Sequence, residues 1–249
     1  MNAALTFGTK RTFKAKQIIN DFLTYVRKPL YIAEDATMSK TEKFQYLFKV
    51  LLCKLALLPI LIPIIYFTKQ WTGAKSIGFD DTWSMYLMLV VIAPIVEEAI
   101  FRGVLHYSRW GVSFIISVLL VIITYLAKVT ELISVHTIGF VYFACIALFP
   151  VFYFVTKPLG DVFKIFWAKD FKYIFHIIAI SFGLIHLSNY ENISNYLFAL
   201  PLVTSQIISG YVLGFVRMKL GFGYSVALHS AWNFIASFGM LVVLLAKFF

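Results

Sequence analysis

The chain has 249 residues, of which 61% are hydrophobic and only 14% charged, with a formal net charge of +10. Ordinary soluble domains carry roughly a quarter charged residues, so this composition excludes a soluble globular domain, a disordered chain and a disulfide scaffold. The basic excess marks the cytoplasmic loops of a membrane protein rather than a nucleic-acid surface. Cys53 and Cys145 lie in apolar segments, with no CxxC or Cys/His spacing.

Residues 1–45 form a polar, basic arm without the short apolar run and small-residue cleavage site of a signal peptide. Within it Ile18, Ile19, Phe22, Leu23 and Val26 recur at helical spacing, and Pro29 would end that helix. It reads as an amphipathic helix that either lies on the membrane surface or packs on the protein's own cytoplasmic face. Residues 46–249 read as one transmembrane helical domain, since no Gly/Ser- or Pro-rich linker divides them. Apolar runs long enough to cross about 30 Å of hydrocarbon fall near 46–67, 85–108, 112–133, 138–156, 173–190, 195–216 and 223–245. The runs are continuous rather than alternating, which excludes a β-barrel. Pro59, Pro63, Pro94, Pro150 and Pro201 lie inside them, as membrane bundles tolerate. The expected fold is all-α: a polytopic transmembrane helical bundle of about seven spans.

Lysine and arginine set the expected orientation. The arm carries Lys10, Arg11, Lys14, Lys16, Arg27, Lys28, Lys40 and Lys43. Alternate loops add Arg109, then Lys157, Lys164, Lys169 and Lys172, then Arg217 and Lys219. The opposite loops hold Lys69 and Lys75, offset by Asp80 and Asp81, and the loop near 191 has no cation. The positive-inside rule then makes the N-terminus cytoplasmic, in a multi-pass protein of the cell membrane. Lys128 and Lys247 fall at outer helix ends, where they can snorkel. No internal repeat supports an inverted-repeat transporter.

Glu97 and Glu98 stand side by side in the apolar run MLVVIAPIVEEAIFRGVL. Intramembrane carboxylates are costly, and function is their default reading. Glu98 and Arg102, four apart, share a helix face and can form an ion pair. Glu97 points elsewhere and has no cation at helical spacing, so a purely structural clamp explains it poorly. His186 follows Phe182 by one turn in ISFGLIHLSN; His229 and Asn233 share a face in SVALHSAWNF. Singly, each has a bland explanation: a satisfied core histidine, or hydrogen bonds between spans. Depth joins them. Glu97 is 12 residues before Arg109, His186 14 after Lys172, and His229 and Asn233 7 and 11 after Phe222. At 1.5 Å per residue these are depths of about 18, 21, 10 and 16 Å, on the cytoplasmic side of the midplane. The site is therefore expected to open toward the cytoplasm. His106, His176 and His136 read as interfacial or loop residues, and Gly210-x-x-x-Gly214 as a close-packing motif.

At these residues the chain resembles the CAAX prenyl protease and bacteriocin-processing (CPBP) family of intramembrane proteases. That family looks like EExxxR, FxxxH and HxxxN, each on a membrane helix. Here these are Glu97-Glu98-x-x-x-Arg102, Phe182-x-x-x-His186 and His229-x-x-x-Asn233. The resemblance covers about 85–245, the protease-like core, and leaves out the arm and first span. One departure stands out: 89 residues separate Glu97 from His186, where the family has about one helix. The extra segment reads as two spans, and an even number preserves the relative orientation of the motif helices.

Peptide hydrolysis needs an activated water and donors for the oxyanion. A carboxylate in a low-dielectric cavity is a stronger base, because desolvation disfavours its charged form. Glu97 is therefore the expected general base, with His186 holding the water. His229 and Asn233 suit oxyanion donation, and Glu98 with Arg102 fixes the helix. The resemblance implies the same roles at these positions, and a peptide or lipidated, including prenylated, protein as substrate. Family members are often labelled metalloproteases; Glu97, His186 and His229 make a set able to hold zinc, though there is no HExxH. The metal-free glutamate mechanism is the favoured reading. The alternatives are a non-catalytic role in bacteriocin immunity or membrane-protein interaction, and a proton-coupled transporter. No nucleic-acid partner is expected.

Overall fold

The computed structural model describes residues 13–31, 34–113, 150–155, 157–194 and 198–247, with single positions 117, 120 and 148. The expected spans at 112–133 and 138–156 fall largely outside these residues. So do Lys10, Arg11, Lys128, His136 and Cys145.

The chain is a helical membrane protein. Among the described residues three helical segments are long and apolar enough to cross a bilayer: Trp83–Leu105, Phe171–Asn189 and Leu200–Leu220. Two bent pairs raise the number to five if each pair is one span. The first pair is α2 (Lys40–Leu55) and α3 (Leu58–Thr72), bent by 43°. It stands where one span at 46–67 was expected. Pro59 near the start of α3 has no N–H to continue the ladder of α2, so the helix breaks before it. The start of α2 is fixed by Ser39 and Glu42, whose side chains each accept from the other's backbone N–H.

The α1 helix (Ala15–Arg27) packs on the protein itself, one of its two expected placements. Ile18 is buried, and Phe22 and Tyr25 pack on Phe215 with ring centroids 5.7 and 5.5 Å away. Ile19 and Leu23 stay exposed and line, with Phe22, Val50 and Val212, an apolar pocket between α1 and the bundle. After α3, the strand β1 (Lys75–Ser76) leads to α4 (Trp83–Leu87), a π-helical turn (Met88–Ile92) and α5 (Ala93–Phe101). The 157–172 segment, expected as a loop, contains α6 (Gly160–Lys169), which buries Trp167 and exposes Val162, Ile165 and Phe166. Next come α7 (Phe171–Ile185), a 3₁₀ turn (His186–Asn189) and β2 (Tyr190–Glu191). A 3₁₀ turn at Leu200–Val203, which takes up Pro201, opens α8 (Thr204–Leu220). The last pair, α9 (Phe222–Ala236) and α10 (Phe238–Ala246), is bent by 58°.

The centre of the bundle is the α7–α8 contact. A Cβ on Gly210 would run into the Ala179 carbonyl, and one on Gly214 would lie 2.8 Å from the Phe175 ring. Only glycine lets these backbones meet, as the GxxxG spacing anticipates.

The helix ends sort into two groups. Asp21 pairs with Lys219 at 2.7 Å, Glu34 with Arg217 at 3.6 Å, and the Tyr31 hydroxyl accepts from the Tyr107 N–H at 3.0 Å. These contacts gather the arm with residues 105–107 and 217–221 at one end. At the other end β1 and β2 pair antiparallel, Lys75 opposite Glu191, and Lys247 Nζ donates to the Asp81 carbonyl at 2.7 Å. The chain leaves one motif span at Leu105 and enters the next at Phe171, both in one apolar cluster at the arm's end. The motif helices therefore keep the relative orientation that the even-span expectation requires.

Candidate active site

Glu97 and Glu98 lie on α5, one residue apart and in different surroundings. The Glu98 side chain is fully buried; that of Glu97 is 30% exposed. Glu98 Oε1 lies 3.3 Å from Arg102 Nη1, the expected ion pair. The same oxygen accepts from His229 Nδ1 at 3.0 Å, a partnership between helices that helical spacing could not reveal. Arg102 also donates from Nη2 to the Gly210 carbonyl at 3.4 Å and stacks over the Phe182 ring, 4.0 Å from its centroid. A carboxylate, a guanidinium and an aromatic face thus brace α5 against α7, α8 and α9.

Glu97 meets both motif histidines. Its Oε2 lies 4.0 Å from His186 Nε2 and 3.7 Å from His229 Nε2. The depth agreement read from the sequence is therefore real proximity. Each ring is oriented from behind. His186 Nδ1 lies 2.7 Å from the Phe182 carbonyl, which can only accept, so the Nδ1 proton points there. His229 Nδ1 likewise faces the Glu98 carboxylate. In each ring Nε2 is then the nitrogen turned toward Glu97.

Asn233 is near this group but has a task of its own. Its Nδ2 donates to the Leu89 carbonyl at 2.9 Å. In the π-helical turn the Ala93 N–H bonds to Met88 O, five residues back. The corresponding partner of Leu89 O would be the nitrogen of Pro94, which has no hydrogen. Asn233 fills the vacancy, and π turns recur at functional sites. The signal in the sequence was Pro94 inside a span: it frees a carbonyl one turn earlier, which a facing helix must satisfy.

A cavity of about 730 Å³ holds Glu97, His186 and Asn233 in its wall, with Leu89, Ala93, Ile100, Phe101, Ile185 and Met240 as apolar lining. Behind the histidines, on the arm's side, Arg102, Phe182 and Leu228 are packed and buried. The lining also includes Phe79, Ser188, Ala236 and Gly239, all exposed and all toward the β1–β2 end.

Lys54 is a polar residue that the sequence reading passed over. It is buried on α2, 3.6 Å from the centroid of the Trp232 ring. Of the other histidines, His176 Nδ1 meets the Tyr211 hydroxyl at 3.1 Å and His106 lies against the Tyr31 ring, both structural contacts.

Tetrahedral zinc, with bonds of about 2.0–2.2 Å, holds its donors about 3.3 Å apart. The carboxylate–imidazole separations here are longer, and no group of three or more His, Cys, Asp or Glu among the described residues is placed to hold a metal.

Glu97, His186 and Asn233 share the wall of one cavity, and His229 links Glu97 to Glu98 beside it. Residues 79–235 match the type II CAAX prenyl endopeptidase Rce1-like family, and the chain belongs to that family of CAAX-protease-like membrane peptidases. The match spans all three motifs. No curated protein and no solved structure matches the chain.

Proposed function

We propose that the protein is an intramembrane endopeptidase in which Glu97 activates the attacking water. The observation that carries this reading is the approach of His186 Nε2 and His229 Nε2 to within 4.0 and 3.7 Å of Glu97 Oε2, with Glu97 and His186 in the cavity wall. A water there gives one proton to Glu97 and directs its other O–H at His186 Nε2. As Glu97 takes the proton, the water oxygen bonds to the peptide carbonyl carbon and the carbonyl oxygen becomes an oxyanion. Asn233 supports that oxyanion with the amide N–H not given to Leu89. His229, held by Glu98 at Nδ1, turns Nε2 toward the same region. Glu97 then passes its proton to the leaving nitrogen as the C–N bond breaks. Glu98 and Arg102 touch no reacting atom; they are positioning residues. The substrate is a peptide segment or a lipidated, including prenylated, protein.

Glu97→Gln tests the assignment. It keeps the shape and removes the base, so cleavage of a membrane-reconstituted peptide should stop while thermal unfolding stays unchanged. Cleavage near the wild-type rate would show that Glu97 is not the base.

A second reading rests on the same atoms. Glu97 Oε2, His186 Nε2 and His229 Nε2 would have to draw together from 4.0 and 3.7 Å to about 3.3 Å to share a zinc ion. Zinc would then be held by Glu97, His186 and His229 and would polarise the substrate carbonyl.

A further inference from the structure

A second pocket, of about 300 Å³, lies between α1, α2 and α8 and shares no lining residue with the Glu97 cavity. Ile18 and Phe22 of α1, Val50 and Leu57 of α2, and Ile208 and Phe215 of α8 line it. Apart from Cys53 and Lys54, every side chain in its wall is aliphatic or aromatic. Ile19 and Leu23 belong to the same wall and are exposed, so the pocket opens beside α1.

Lys54 is the wall residue that calls for a partner. It is only 5% exposed, and its Nζ lies 3.6 Å from the centroid of the Trp232 ring. A ring face attracts an ammonium from one side. Among the described residues Lys54 has no hydrogen bond and no ion pair. Glu98, the one carboxylate buried among those residues, is committed to Arg102 and His229. Lys54 is thus a buried cation in excess of the buried anions. Charges inside a membrane bundle pair with one another or mark the path of a ligand, and an uncompensated one is costly.

We propose that this pocket binds a long-chain fatty acid, its chain among the apolar side chains of α1, α2 and α8 and its carboxylate paired with Lys54. Size and depth select this class. The pocket is at the small end of ligand cavities; it suits one chain and not the two chains, glycerol and headgroup of a phospholipid. The α2 helix starts at the arm's end, where Lys43 Nζ donates to the Leu220 carbonyl. Lys54 is 14 residues after Lys40, about 21 Å along that helix. A lipid phosphate stays in the headgroup layer, whereas a carboxylate that ends a single chain can follow the chain inward. A neutral chain would fill the same walls and leave the ammonium unpaired. The proposal does not depend on the peptidase reading of the Glu97 cavity.

Binding of radiolabelled palmitate and hexadecanol to the full-length protein in phosphatidylcholine nanodiscs tests it. The two probes share a chain and differ in the charged end. The wild type should bind palmitate at least tenfold more tightly than hexadecanol. Lys54→Met keeps an apolar stem and removes the ammonium; it should weaken palmitate at least tenfold and leave hexadecanol unchanged. Equal affinity of the wild type for the two probes overturns the proposal, and that comparison needs no variant. Palmitate binding that survives Lys54→Met overturns it as well. Farnesol bound more tightly than palmitate, and unmoved by Lys54→Met, would also overturn it and give the pocket to a neutral chain.

Discussion

Glu98→Gln should lower stability far more than its small change in shape suggests. The carboxylate it replaces is fully buried, 3.3 Å from Arg102 Nη1 and 3.0 Å from His229 Nδ1. Its loss leaves a buried guanidinium with one hydrogen bond, to the Gly210 carbonyl, and the face of Phe182. Both contacts exist in the wild type, so neither offsets the loss. Removing one partner of a buried pair costs about 3–5 kcal/mol. For a chain of this size 1 kcal/mol shifts the midpoint by about 2–4 °C, so a drop of at least about 6 °C follows. Thermal unfolding in detergent, followed by tryptophan fluorescence, measures it. Glu98→Gln/Arg102→Met removes both charges and should recover most of the midpoint, since a buried pair exchanged for neutral groups is often neutral in stability. It should stay inactive, because His229 Nδ1 has lost its carboxylate. A single variant that unfolds within about 2 °C of wild type, or a double variant no more stable than the single, would refute the reasoning.

Asn233→Ala removes an oxyanion donor and should lower kcat by about 100–1,000-fold. It also orphans the Leu89 carbonyl; Pro94→Ala supplies a backbone N–H there, so the stability loss of Asn233→Ala should shrink in that background while activity stays low. Gly210→Ala drives a methyl into the Ala179 carbonyl and should cost about 1–3 kcal/mol in detergent unfolding, with an intact midpoint contradicting the α7–α8 contact. Under the glutamate mechanism, dialysis against chelator leaves activity unchanged and elemental analysis finds no stoichiometric zinc. One zinc per chain, lost in His229→Ala and required for turnover, would make Glu97, His186 and His229 ligands instead.

What the sequence made legible was local. The Glu98–Arg102 pair follows from spacing on one helix, and the separate environment of Glu97 from its different face. The GxxxG contact and the helical segments near 85–108 and 173–190 are likewise features of one segment at a time. The differences arise where distant segments meet or a helix is interrupted. Pro59 splits the first expected span, and at Ser237 the hydroxyl bonds to the Asn233 carbonyl where α9 ends. The His229–Glu98 bond joins residues that no periodicity relates. Lys54, which no sequence motif singles out, is buried against Trp232 on another helix.

The position of Arg102 in the chain has a consequence for how the protein is made. His229 lies 131 residues after Glu98. At synthesis rates of about 5–20 residues per second, its helix emerges about 7–26 s later. Throughout that interval Arg102, on the same span, is the nearby cation of the motif that can neutralise Glu98. The pair can pass from the translocon into lipid as a neutral unit and does not wait for its final neighbours. Moving the cation to a later helix would preserve the charge of the finished site and strand the carboxylate during insertion. Such a variant would be lost to quality control before it could fold.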